Sequence, residues 1–145
     1  MHNDKPVTLT AKLIQVVDDD PAIRLLLRTC LEKDGFRVID ADNGQTAVLQ
    51  FESLKPDAIL LDVVMPELDG FDTCRSIRKL PDGKHVPILM VTGLDDIDSI
   101  HQSFDVGATD FITKPINWTL LTYHVKYILR ANDAFNDVID QQKQI

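Results

Sequence analysis

Short apolar runs, each closed by a polar residue, recur along this chain. Leu13-Ile14-Gln15-Val16-Val17 is followed by Asp18 and Asp19, and Asp57-Ala58-Ile59-Leu60-Leu61 by Asp62. Pro87-Ile88-Leu89-Met90-Val91 ends at Thr92, and Thr109-Asp110-Phe111-Ile112-Thr113 ends at Lys114-Pro115. Phe36 to Ala41 adds one more run. Runs this short, bounded by turn residues, predict strands buried on both faces. Between them the pattern is helical. Asp20-Pro21 gives an acidic N-cap and a proline at the first helical position, and the apolar positions Ile23, Leu26, Leu27 and Cys30 lead to a stop at Gly35. Asn43-Gly44 opens a helix ending near Leu54, and Gly70 to Leu80 forms a third. Asp95-Asp96 places acids at the start of a fourth, which ends at Gly107, and a fifth begins at Asn117 and continues into the tail. Five strands alternating with five helices predict an α/β fold, a doubly wound parallel sheet with right-handed crossovers.

The closing residues carry the chemistry. In open α/β sheets, ligands bind beyond the carboxyl ends of the strands. There the pattern gathers Asp18, Asp19, Asp62, Thr92 and Lys114. Three adjacent carboxylates repel one another unless a cation or protons offset their charge. Oxygen ligands without histidine or cysteine favour a hard cation, Mg²⁺, over Zn²⁺. The plainer alternative for Asp18 and Asp19 is helix capping, a role that Asp20 fills better from its place before Pro21. An ionised carboxylate can attack phosphorus and become an acyl phosphate without a general base. Lys114, Thr92 and a cation would offset charge on the phosphoryl oxygens.

Composition narrows the function classes. The chain has 145 residues and a formal net charge of -8, with no lysine and arginine cluster. One domain with a full core is expected, and direct nucleic-acid binding by this segment is not. No apolar run is long enough to span a bilayer, and the N-terminus lacks a signal-peptide pattern, so a cytoplasmic location is expected. Cys30 and Cys74 read as reduced packing residues.

Four segments in order resemble the receiver domain of bacterial response regulators. They are Val17-Asp18-Asp19-Asp20-Pro21, Leu61-Asp62 through Met65-Pro66 to Asp69-Gly70, Val91-Thr92-Gly93-Leu94-Asp95-Asp96, and Gly107-Ala108 through Lys114-Pro115. The resemblance covers about residues 11 to 130. It implies a flavodoxin-like sheet in the order 2-1-3-4-5. It also implies a signalling switch, with Asp62 accepting a phosphoryl group from a histidine kinase or phosphotransfer protein. By the same resemblance Asp19, Asp62 and the Val64 carbonyl would hold Mg²⁺, and Asp18 would act through water. Thr92 and Phe111 would form the switch pair, Lys114 would bind the phosphoryl group, and the Lys114–Pro115 bond would be cis. Gly93 stands where alanine is more usual, and Phe111 lacks the hydroxyl of the tyrosine often found there. Core packing is the plain alternative for Phe111.

Two other functions fit less well. A Mg²⁺-dependent aspartyl phosphatase would want an acid two residues after its nucleophile, where this chain has Val64. A receiver acting only as an interaction module would not need an intact acceptor, metal and lysine set. No enzymatic activity beyond self-phosphorylation and autodephosphorylation is expected.

The ends are read separately. Residues 1–10 are polar and expected to be loose. In the tail, Leu121, His124, Ile128, Ala131, Phe135, Val138, Gln142 and Ile145 follow a heptad spacing. Residues 131–145 are therefore expected to be a helical extension or linker to an output domain. Ile128, Ala131, Phe135, Val138 and Ile145 would form the seam of a homodimer, and a frayed polar tail is the alternative. Lys114-Pro115-Ile116-Asn117-Trp118, with Tyr123, Tyr127, Leu129-Arg130 and Phe135, is similar to receivers placed ahead of diguanylate cyclase domains. The GG(D/E)EF signature of such a domain does not occur in this sequence.

Overall fold

The computed structural model describes residues 11–93 and 97–143. The expectations for residues 1–10, for Leu94 to Asp96 and for Ile145 lie outside the described residues. The strands are β1 (Leu13–Val17), β2 (Arg37–Ala41), β3 (Ala58–Asp62), β4 (Ile88–Thr92) and β5 (Asp110–Thr113). The helices are α1 (Pro21–Lys33), α2 (Gly44–Leu54), α3 (Gly70–Arg78), α4 (Ile97–Asp105) and α5 (Trp118–Lys143). All pairings are parallel, in the order β2-β1-β3-β4-β5.

Strand periodicity divides the core in two. Ile59, Leu61, Ile88 and Met90 pack on the side holding Ala47 and Phe51 of α2 and Cys74 and Ile77 of α3. Their neighbours Ala58, Leu60, Leu89 and Val91 pack with Leu27 and Leu31 of α1 and Leu121, Val125 and Ile128 of α5. Successive side chains alternate between two covered faces, so β3 and β4 are buried throughout. Gln15 interrupts the first run but is fully buried, and its amide donates to the Ala47 carbonyl at 2.9 Å. Leu26, grouped in the sequence with the inner face of α1, is instead half exposed, and Leu27 and Leu31 take the core positions.

Side-chain caps set the helix starts. Asp20 accepts from the Ala22 N–H, Asn43 from Thr46 and Asp69 from Asp72. Gly107, at a φ of +99°, reverses the chain after α4 in a conformation that costs a β-carbon-bearing residue energy. The fifth helix runs for 26 residues, a rod of about 39 Å.

Candidate functional site

The carboxyl ends of β1 and β3 bring three acids together. One carboxylate oxygen from each of Asp18, Asp19 and Asp62 lies within 4.8 Å of the other two. Asp18 and Asp62 are buried, at 1% and 4% exposure, while Asp19 faces solvent. β1 and β3 are adjacent, and Val17 pairs with Leu61, so the residues that follow emerge side by side.

Local structure fixes each acid. Asp18 Oδ1 accepts from the Asp20 N–H at 2.9 Å, and its carbonyl accepts from Arg24 Nη1 at 2.9 Å. After Asp62 the chain doubles back, with the Gly70 N–H on the Val63 carbonyl at 2.9 Å. A β-carbon at Gly70 would collide with the Asp62 carbonyl and Val63 Cα, so this return requires glycine. Glu67 takes a positive φ of 64° in the same loop.

Lys114 reaches into the cluster from the end of β5. Its Nζ lies 3.4 Å from Asp18 Oδ2 and 3.4 Å from Asp62 Oδ1. Its backbone N–H donates to the Thr92 carbonyl at 2.7 Å, continuing a ladder in which Thr92 pairs with Thr113. Thr92 is buried, and the Lys114–Pro115 bond is cis.

The electrostatics follow from burial. Desolvation pushes the Asp62 carboxyl up to about 6, and the charge of Asp18 pushes the same way. Lys114 and the Val64 N–H oppose the shift without cancelling it. Burial alone would lower the Lys114 pKa, but Asp62 and Asp18 outweigh it and raise the ammonium above its ordinary value. The raised Asp62 carboxyl shows that one lysine does not fully offset the buried negative charge, so the acids retain capacity for more positive charge. Three oxygen donors with one open to solvent suit a hard divalent cation.

Phe111, on β5, is half-buried against the core side of the sheet that holds α2 and α3. Its ring meets Phe104 of α4 edge to face, with centroids 6.0 Å apart and planes at 82°. Val64 lies at the site and its side chain is exposed.

Three of the proposed seam residues, Ile128, Ala131 and Phe135, line one surface groove with His85 and Tyr127. Ile128 faces the sheet and is 5% exposed, within the domain's own core. Leu121 is buried beside it, and His124 bonds Asp110 at 3.0 Å. Phe135 packs edge to face on His85 at 5.0 Å, next to the Lys12–Asp133 ion pair at 3.2 Å. Ala131 and Val138 are exposed. The series keeps to one stripe of the helix, but the sheet covers that stripe only as far as Ile128 and Leu129, and beyond them Ala131 and Val138 have no sheet to face.

Three residues with long-range contacts carry no signal in the sequence. Arg24 tethers the Asp18 carbonyl. Arg78 donates to the carbonyls of Gly107 (2.8 Å), Gly83 (3.0 Å) and Val86 (2.6 Å), tying α3 to the turns before β4 and β5. Phe104 meets Phe111. Each role depends on which loops converge, which no local pattern encodes.

A doubly wound sheet with acids, a lysine and a buried threonine at its carboxyl edge defines a class of α/β signalling domain, and comparison with known proteins supplies the family. The response regulator receiver domain profile matches residues 14–126. "Probable transcriptional regulator ycf27" of Pyropia yezoensis is 39% identical over 120 residues, 83% of this chain and 48% of that protein. "Response regulator PleD" of Caulobacter vibrioides is 39% identical over 131 residues, 90% of this chain and 28% of that protein. A crystal structure of a putative response regulator from Chloroflexus aurantiacus superposes with a TM-score of 0.80 at 36% identity, covering 83% of this chain and 99% of that one. The receiver domain of sensor histidine kinase PA1611 from Pseudomonas aeruginosa, solved with magnesium coordinated in its active-site cleft, gives 0.77 at 28% identity, covering 83% and 98%. The chain belongs to the response regulator receiver domain family. It is a phosphorylation-dependent signalling switch. It spans about half or less of the length of these curated relatives. No helix among the described residues is long and apolar enough to cross a membrane.

Proposed function

We propose that Asp62 is the phosphoacceptor of this switch and that Mg²⁺ is its cofactor. The observation that carries this reading is the placement of Lys114 Nζ at 3.4 Å from both Asp18 and Asp62, inside a three-carboxylate cluster. An Asp62 oxygen attacks phosphorus and forms a new O–P bond. The bond from phosphorus to the donor's imidazole nitrogen breaks, and that nitrogen keeps the electron pair and is protonated from solvent. Asp19, Asp62 and the Val64 carbonyl would hold the cation, and Asp18 would act through water. A bound Mg²⁺ supplies charge neutralisation for the acids and the incoming phosphoryl oxygens. Lys114 leaves its two carboxylates to offset phosphoryl charge. Thr92 donates its hydroxyl to a phosphoryl oxygen, and Phe111 moves inward behind it.

The domain proper is residues 11–130, with 131–145 as an extension toward a second domain or a second chain. The similarity of the Lys114–Trp118 segment and the aromatic positions of α5 to receivers ahead of diguanylate cyclase domains makes a cyclic-di-GMP-forming output the first to test. The chain works in the cytoplasm and touches no nucleic acid itself. In a homodimer the outer face of the α5 extension is the contact, with Ala131 and Val138 on it.

Acetyl phosphate with Mg²⁺ should add one phosphoryl group to the wild-type chain by intact mass. Asp62→Asn, or wild type in chelator, should show none. Equal yield in Asp62→Asn would overturn the assignment.

A further inference from the structure

We propose that Phe104 is a positioning residue that latches the Phe111 ring in its resting place and so sets the resting population of the switch. This rests on the reading of Phe111 as the switch aromatic. Phe104 lies one residue before the end of α4 and is 46% exposed. That is a large apolar ring left half in water, and it meets the Phe111 ring edge to face. Phe111 belongs to the edge strand β5 and is itself half-buried, so its ring sits between the core and the α4 surface.

The end of α4 that carries Phe104 is held firmly. The Gly107 carbonyl accepts from Arg78 Nε at 2.8 Å, and the Val106 carbonyl accepts from Cys74 Sγ at 3.4 Å. The Ala108 N–H returns to the Ser103 carbonyl at 3.0 Å. Phe104 is thus mounted on a fixed end, and Phe111 is the partner that can leave. An inward movement of Phe111 breaks the edge-to-face contact. The contact therefore favours the resting arrangement and reduces apparent affinity for anything that selects the inward one.

Removing the latch should favour the inward state. An aromatic pair of this geometry corresponds to about threefold to tenfold in an equilibrium constant. Beryllofluoride with Mg²⁺ serves as the phosphoryl mimic and calorimetry as the readout. Phe104→Ala should tighten beryllofluoride binding by about threefold to tenfold, and Phe104→Leu by less. Phe104→Tyr, which keeps the ring, should restore the wild-type value. Mg²⁺ affinity measured without beryllofluoride should be the same in all of them. In a Phe111→Ala background, the Phe104→Ala change should have no effect on beryllofluoride affinity. Unchanged or weaker binding in folded Phe104→Ala and Phe104→Leu, or the same gain with Phe111 removed, would overturn the latch. Wild-type chain that fails to bind beryllofluoride at all would instead overturn the reading of the acid site.

Discussion

Asp62 carries the tension of the site. Its carboxyl is buried, sits beside Asp18 and is pushed up to about 6. A raised folded-state pKa means the fold prefers the protonated acid, so Asp62 supports stability below its unfolded value near 3.8. That support is lost as pH rises from there through about 6. In chelator at pH 7.5, Asp62→Asn should therefore stabilise the chain by about 1–3 kcal/mol, and the gain should vanish near pH 4. Chemical denaturation at the two pH values checks this, and an equal gain at both would refute it. Metal binding must displace the same proton. Apparent Mg²⁺ affinity should hold above pH 7 and fall by up to about tenfold per pH unit below 6, as calorimetry would show. Affinity independent of pH between 5 and 7 would place the cation elsewhere.

Between elements, most of the fold was legible and the couplings were not. Strands closed by Asp62, Thr92 and Lys114 announce themselves, because a buried parallel strand is a short apolar run and its last residue leaves the sheet. The cap at Asp20 is local chemistry and reads equally well, and Asn43 and Asp69 cap the next two helices by the same chemistry. Arg78 is different. In sequence it is one more charge on a helix, yet folded it carries three carbonyls and is drawn down in pKa by burial. Removing it leaves buried acceptors without a donor. Arg78→Ala should cost about 2–4 kcal/mol, and Arg78→Lys, with one ammonium for three carbonyls, should recover less than half. Thermal melts settle this, and a loss below about 0.5 kcal/mol would mean that water replaces the guanidinium. The α5 stripe was legible only in part. A heptad series was present, but only packing on the sheet decides which face it shows, and Ile128 went to the core.

For the whole molecule, the acids lie at the carboxyl edge of the sheet, while Phe135 and Asp133 anchor the α5 extension to His85 and Lys12 at the other end. A message from Asp62 must cross the sheet to alter what α5 presents. If a second chain reads that helix, Val138 is the cleaner probe, since it is 53% exposed whereas Phe135 already leans on His85. Sedimentation with beryllofluoride should show Val138→Glu weakening self-association by about tenfold while phosphorylation proceeds normally. A wild-type chain that stays monomeric at high concentration with and without the mimic would leave residues 131–145 as a linker.

Phosphoryl transfer that ends on Asp62 leaves a chemical trace at that residue. The chain would be treated with acetyl phosphate and Mg²⁺, quenched with borohydride and mapped by tandem mass spectrometry, since reduction of an aspartyl phosphate leaves homoserine at the acceptor. Homoserine should appear at Asp62, dependent on Mg²⁺, with Asp18 and Asp19 unmodified. Homoserine at Asp18 or Asp19, with Asp62 recovered as aspartate, would contradict it.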